Sequence, residues 1–277
     1  MLNVRDHSRA SAGMKYVYPV VSRRAGGVSV GINLNVNNAC NWACVYCQVP
    51  NLTRGGPPPV DLDQLENELQ RLLHDITQGD FLVKQAPPEA RRLVDVAFSG
   101  NGEPTSSPEF ADAVERVGRL LRRFALPDDV KVRLITNGSL MHRPMVQRGI
   151  AEIGALNGEV WFKLDQATET GIERINGIRL APEKIRESLL RCAALAPTWI
   201  QTCYFAVDGK EMEETDRQSY LDFAASVKDK IKGVHLYGLA RPSLQPDAQR
   251  LSNLSPEEFQ RFAERIAALG ITVVANP

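Results

Sequence analysis

Val28-Ser29-Val30-Gly31-Ile32-Asn33-Leu34-Asn35-Val36 alternates at every step. Val28, Val30, Ile32, Leu34 and Val36 face one way, and Ser29, Gly31, Asn33 and Asn35 face the other, which reads as a strand with one apolar and one polar face. The strand runs into Asn38-Ala39-Cys40-Asn41-Trp42-Ala43-Cys44-Val45-Tyr46-Cys47, where three of the chain's five cysteines stand in a C-x3-C-x2-C spacing. A short loop of this spacing turns three thiolates toward one point. Three thiolates hold three corners of a cuboidal iron–sulfur cluster, whereas electron-transfer [4Fe–4S] sites use four. No fourth cysteine lies in the loop, so the fourth iron is left open to a non-protein ligand, the mark of a catalytic metal site.

Outward from this stretch the chain alternates strands and helices. Helices are expected over 61–78, 108–124, 143–153, 182–195, 213–230 and 256–269. Strands are expected over 93–98, 130–136, 159–165, 199–207, 233–239 and 271–275. Residues 79–92 read as a loop. Such βα alternation implies a parallel sheet. Strands of an open doubly wound sheet are covered on both sides and read apolar throughout. Here most strands keep one polar face: Asp95 and Ser99, Lys163 and Asp165, Gln201 and Cys203, His235 and Tyr237. The other face of each would line a wet cavity. The fold class is therefore α/β, a partial (β/α)6 barrel of parallel strands. An irregular arm precedes it over 1–27, the barrel fills 28–240, and a helical extension follows over 241–277. Active sites of parallel barrels sit at the carboxyl ends of the strands, where the cysteine loop and the Gly100-Asn101-Gly102-Glu103 turn both fall.

Lys and Arg together number 33, as do Asp and Glu, so the net charge is near zero. That weighs against a nucleic-acid partner without excluding a local basic patch. The N-terminus lacks the apolar core of a signal peptide, and no apolar run is long enough to span a bilayer. A cytoplasmic location and a monomer or weak dimer are expected, with closely spaced cysteines serving metal or catalysis rather than disulfides.

The cysteine loop, with aromatic Tyr46 before its last cysteine, resembles the cluster loop of the radical S-adenosylmethionine (radical SAM) enzymes. Phe98 to Pro104 is similar to the family's Gly-Gly-Glu-Pro motif, with Asn101 in place of one glycine. Pro19 to Arg24 and Gly26 to Asn33 resemble the lead-in of a subgroup close to the tRNA wyosine-forming enzymes; those carry extra cysteines upstream, and no cysteine precedes Cys40 here. The resemblance implies the partial barrel and a [4Fe–4S] cluster on Cys40, Cys44 and Cys47. It also implies S-adenosylmethionine bound near Tyr46 and Gly100 to Glu103, cleaved reductively to a 5′-deoxyadenosyl radical that abstracts hydrogen from a substrate. A ferredoxin- or flavodoxin-type protein would supply the electron. The substrate stays open among a small molecule, a peptide and an RNA base.

Further candidates follow from position. Thr136 and Asn137 end the third strand, where Asn-Gly also reads as a plain turn. Lys163 and Asp165 end the fourth, where a buried pair can be structural; the resemblance implies contact there with the cofactor's ribose or carboxylate. Tyr237 ends the sixth, where the resemblance implies that the backbone meets adenine. Cys203 is a candidate hydrogen-atom donor or an inert buried thiol. Arg23 and Arg24, or Arg241, would grip an anionic group. Two other readings remain: an iron–sulfur electron-transfer or binding protein whose cluster is completed by Cys203 or His235, and a zinc-stabilised barrel.

Overall fold

The computed structural model describes residue 2, residues 13–22 and residues 26–277. Eight strands form one curled sheet in chain order: β1 (Val17–Ser22), β2 (Gly27–Ile32), β3 (Leu93–Phe98), β4 (Lys131–Thr136), β5 (Glu159–Lys163), β6 (Thr198–Cys203), β7 (Gly233–Tyr237) and β8 (Val273–Asn276). Strands β2 to β8 run parallel, and β1 pairs antiparallel with β2. The sheet is a half-barrel whose six central strands are those expected. The helices between them are α1 (Leu62–Thr77), α2 (Phe110–Phe124), α3 (Pro144–Ala155), α4 (Glu169–Asn176), α5 (Pro182–Ala193), α6 (Glu214–Val227) and α7 (Pro256–Ala267).

The division of faces follows the alternation. Val30, Ile32, Val96, Phe98, Leu134, Val160, Phe162, Ile200, Val234 and Leu236 point outward. They share one buried cluster with Leu65, Leu69 and Leu72 of α1, Val114 and Val117 of α2, and Phe259 and Phe262 of α7. Ser29, Asp95, Arg133, Trp161, Lys163, Gln201 and Tyr237 point inward and line a cavity. Near the amino-terminal ends of the strands this interior is closed. Arg133 bonds Asp95 and reaches Glu159 at 2.7 Å, Ser29 bonds Asp95, and the His235 ring lies 4.5 Å from both Trp161 and Trp199. Paired in this way, buried charges avoid the large cost of isolation.

Residues 13–22 correct the expected irregular arm. Val17–Ser22 is an ordered edge strand, because the Glu68 carboxylate of α1 accepts from the N–H groups of Lys15, Tyr16 and Val17 at 3.0, 2.8 and 3.2 Å. Tyr18 pairs with Gly31. A Cβ on Gly31 would stand 2.1 Å from the Tyr18 ring, so the missing side chain lets that ring lie over β2 and reach Ser99 Oγ with its hydroxyl at 2.9 Å. Arg23 and Arg24 lie outside the described residues.

Three further differences are local. The 79–92 loop holds a short helix at Phe81–Gln85. The 199–207 strand stops at Cys203, and Ala206–Val207 pairs instead with Leu251–Ser252. Helix α4, unmarked in the sequence reading, begins with the Thr168 hydroxyl accepting from the Gly171 N–H and ends at Gly177. Among the described residues no helix is long and apolar enough to cross a membrane.

Candidate active site

The cysteine loop leaves β2 and crosses the carboxyl edge of the sheet. Cys40, Cys44 and Cys47 are free thiols, and all three line the cavity together with Gly100 to Glu103, Thr136 and Asn137. The cavity is open at one side and, counting the solvent at its mouth, spans about 1290 Å³.

An amide network holds this edge. Asn33 Oδ1 accepts from the N–H groups of Asn35 and Asn101, each at 3.1 Å. Asn35 donates to the Ala39 carbonyl at 3.0 Å and to Ser106 at 3.2 Å. Asn101 donates to Asn38 Oδ1 at 2.7 Å, and Asn137 donates to Asn41 Oδ1 at 2.9 Å. Gly100 has φ +150°, and a Cβ there would stand 2.3 Å from Asn33 Oδ1. Glycine is thus required for the turn to sit against Asn33.

Glu103 is buried within the turn. Its Oε1 accepts from the Thr105 N–H at 3.1 Å and from the Thr105 and Thr136 hydroxyls at 2.6 Å each, and its Oε2 accepts from the Asn137 N–H at 2.7 Å. Burial pushes its carboxyl upward, and these donors oppose the shift. Thr136 and Asn137 therefore brace Glu103, and only Oε2 keeps room for one more donor.

Tyr46 closes another wall. Its hydroxyl donates to Asp165 Oδ2 at 2.6 Å and accepts from Lys163, whose ammonium also lies 4.7 Å from the ring centre. Burial alone would lower the Lys163 ammonium, but the Asp165 carboxylate and Tyr237 hold it well above the ordinary value. Burial, then Asp165, drives the Tyr46 phenol upward. Asp165 is fully buried and Lys163 largely so. Lys163 and Tyr237 line the cavity, whereas Asp165 acts from behind through Tyr46.

Two sequence candidates stand differently from expectation. Cys203 is on the inward face of β6 but does not reach the cavity: it is buried with Trp42, Cys44, Tyr46, Ile175 and Phe205, and the Tyr46 and Phe205 rings meet at 5.4 Å. Arg241 lines the cavity, and its Nε donates to Gln48 Oε1 at 2.8 Å, so it also ties the last loop to the cysteine loop. Sequence reasoning passed over Asn41, Asn176 and the asparagines of 33–38. Five asparagines within Asn33 to Asn41 were the available signal; Asn176 had none.

The donor set suits an iron–sulfur cluster. Burial raises the thiols of Cys40 to about 11 and Cys44 to about 12, so they are protonated until a metal claims them. Among the described residues no three His, Cys, Asp or Glu side chains converge closely enough for a single metal ion. A cuboidal cluster spreads its thiolates over separate irons, so they need not meet at a single ion. His235 is stacked between tryptophans at the closed end, away from the loop. Trp42, inside the cysteine loop, buries an indole N–H with no partner, and such a donor wants an acceptor.

Comparison with known proteins agrees. The radical SAM superfamily model matches residues 34–224. A UPF0026 protein of Helicobacter pylori is 27% identical over 167 residues, covering 57% of this chain and 44% of that protein. A UPF0026 protein of Methanocaldococcus jannaschii is 30% identical over 181 residues, covering 62% and 47%. The chain thus spans less than half of these relatives' length. Among solved structures, a radical SAM methyltransferase from Sphaerobacter thermophilus matches with TM-score 0.58 at 13% identity, covering 94% of this chain and 68% of that one. Histidine-tagged anSMEcpe with bound AdoMet matches with TM-score 0.54 at 17% identity, covering 88% and 63%. At these identities the structural likeness speaks to the fold.

Proposed function

The chain belongs to the radical SAM superfamily, whose enzymes use a [4Fe–4S] cluster and S-adenosylmethionine, and on that premise we propose that Cys40, Cys44 and Cys47 ligate the cluster and that the cavity holds a hydrogen-donating substrate. The observation that carries this reading is the shared wall: three thiols, the Gly100 to Glu103 turn and the end of β4 open onto one cavity. When bound and reduced, the cluster would supply the one-electron reductive cleavage of S-adenosylmethionine that initiates hydrogen abstraction from a substrate.

The residues of the chain bind, orient and exclude water. Glu103 Oε2 and the backbone of Gly100 to Gly102 accept the cofactor's ammonium, with Glu103 held still by Thr105, Thr136 and Asn137. Lys163 faces the cofactor's carboxylate or ribose oxygens, its charge kept by Asp165. Tyr46 and Tyr237, which line the same cavity, would hold the adenine. The substrate sits deeper, among Tyr18, Ser99, Asp95, Arg133 and Gln201, beneath the rim residue Arg241. The charged groups at the floor bond one another, Arg133 standing between Asp95 and Glu159, which favours a polar substrate over a strongly charged one. A small molecule, a peptide side chain and an extruded RNA base all fit that description. A ferredoxin- or flavodoxin-type protein donates the electron.

The test is anaerobic reconstitution with iron and sulfide, then reduction in the presence of S-adenosylmethionine. Formation of 5′-deoxyadenosine is the expected result. A reconstituted, reduced protein that forms none, with candidate substrates or without, removes the enzymatic reading.

A further inference from the structure

We infer that the Asn176 side chain is a positioning residue that donates a hydrogen bond to the Cys44 sulfur and thereby sets the reduction potential of the cluster. The inference rests on the cluster reading above and concerns a residue outside the cysteine loop. Asn176 is the last residue of α4 and is only 2% exposed. The end of this helix is stitched to the loop, the N–H of Val45 donating to the Ile175 carbonyl at 2.9 Å and that of Ala43 to the Asn176 carbonyl at 3.1 Å. The amide side chain is therefore delivered to the loop by backbone bonds that do not depend on it.

Its orientation is decided by chemistry. Asn176 Nδ2 lies 2.7 Å from Asp165 Oδ2 and 3.3 Å from Cys44 Sγ. An ionised carboxylate only accepts, so the nearer amide atom must be nitrogen and not oxygen. An NH2 group carries two hydrogens; one goes to Asp165 and the other to the sulfur. Asp165 is itself fixed, with Oδ2 accepting from Tyr46 at 2.6 Å and Oδ1 from the Cys203 N–H at 2.9 Å. The amide cannot turn over without facing its oxygen toward that carboxylate. At Cys40, by comparison, the sulfur meets a backbone N–H, that of Trp42, at 3.5 Å.

A one-electron reduction by a reductant in solution adds negative charge that the cluster spreads over its sulfurs. A donor on a ligating sulfur stabilises the reduced form more than the oxidised form, and hydrogen bonds of this kind are among the determinants of such potentials. Asn176 therefore raises the potential and makes the cluster easier to reduce.

The experiment compares the reconstituted wild-type chain with Asn176→Leu, which keeps the volume and loses the donor, in mediated redox titrations read by EPR without S-adenosylmethionine. The reduction equilibrium of Asn176→Leu is expected to be about tenfold less favourable, about 59 mV lower in potential. Its Fe–S(Cys) stretching bands in resonance Raman spectra are expected to lose part of their shift in D2O. Ile175→Val alters packing beside the same loop and spares the amide, so its potential should stay in place. Should Asn176→Leu fail to assemble a cluster, Asn176→Ser, too short to reach both acceptors, gives the same reading. Equal potentials and D2O shifts in wild type and variant, or an equal shift in Ile175→Val, overturn the inference and leave the cluster reading intact. A wild-type chain that takes up no iron and sulfide overturns both.

Discussion

The Asn101 carboxamide donates to Asn38 Oδ1 at 2.7 Å, while its backbone N–H donates to Asn33 Oδ1 at 3.1 Å. The residue that stands in place of a glycine therefore ties the turn after β3 to the head of the cysteine loop. Asn38 has a positive φ of 57°, which asparagine tolerates better than most residues, and the bond from Asn101 helps hold it there. Asn101→Gly removes one neutral hydrogen bond, about 1 kcal/mol. We expect the variant to fold and to take up a cluster, and to lose iron to a chelator about fivefold faster than wild type. Release followed by chelator absorbance checks this, and an unchanged rate would reduce Asn101 to a packing residue.

The five cysteines divide sharply. Cys40, Cys44 and Cys47 line the cavity, Cys203 is sealed behind Tyr46, and Cys192 lies in the outer core against the Thr198 hydroxyl at 3.5 Å. Alanine at any of the first three should abolish stable binding of a [4Fe–4S] cluster. Alanine at Cys192 or Cys203 should leave iron and sulfide content at the wild-type level, with only the modest destabilisation of a small cavity. Iron and sulfide assays on reconstituted variants decide it. Loss of the cluster in Cys203→Ala would revive a fourth protein ligand.

Most of the barrel was legible because its strands are amphipathic. Ser29, Asp95, Lys163 and Gln201 recur on the face opposite the aliphatic residues, and only a wet interior accommodates such a row. The edge strand was not legible. Val17 to Ser22 is short and interrupted by Pro19, and it is held by a carboxylate more than fifty residues away, Glu68, which local pattern cannot reveal. At the site the three clustered cysteines announced themselves by spacing. Their supports did not, because a lone asparagine such as Asn176 carries no spacing signal and acquires its role only when α4 docks on the loop. The face of Cys203 was read correctly, but its lack of access depends on where Tyr46 lands.

Glu103 should behave as a structural keystone even without cofactor. Glu103→Ala leaves the buried donors of Thr105 and Asn137 without their acceptor, at about 3 kcal/mol for the group. In a chain of this size that lowers the melting temperature by about 5 °C. Thermal unfolding of cluster-free protein measures it. A melting temperature equal to wild type would mean that Glu103 serves only the ligand.

Acid should weaken one surface clamp selectively. Hydrogen bonds from Arg265 and then Arg217 lower the Glu214 carboxyl from the usual carboxylate range to about 2, joining α6 to α7. A depressed carboxylate contributes stability above its unfolded value and loses it as pH falls toward the folded one. The stability gap between wild type and Glu214→Gln should therefore be full at pH 6, narrow below about 4.5 and nearly close near 2. Because the pair is exposed, added salt should narrow the gap at pH 6 as well. Urea titrations across that window test both trends, and a gap that widens in acid contradicts the assignment.

Gly31 and Tyr18 offer the sharpest test of the edge strand. A Cβ at position 31 would stand 2.1 Å from the Tyr18 ring, far inside contact distance, so Gly31→Ala must displace the ring or part β1 from β2. Overpacking of this kind costs about 1–3 kcal/mol. If the tyrosine ring is the whole obstacle, the same alanine should cost almost nothing in a Tyr18→Ala background. The two changes are then strongly non-additive, as neighbours in a double-mutant cycle are. Tyr18→Phe separates packing from chemistry: it keeps the ring over Gly31 and removes the hydroxyl that meets Ser99 at 2.9 Å. That variant should show near-wild-type stability, and any change in turnover would then report on the hydroxyl inside the cavity. Additive costs for Gly31→Ala and Tyr18→Ala would place the ring elsewhere and take β1 out of the cavity wall.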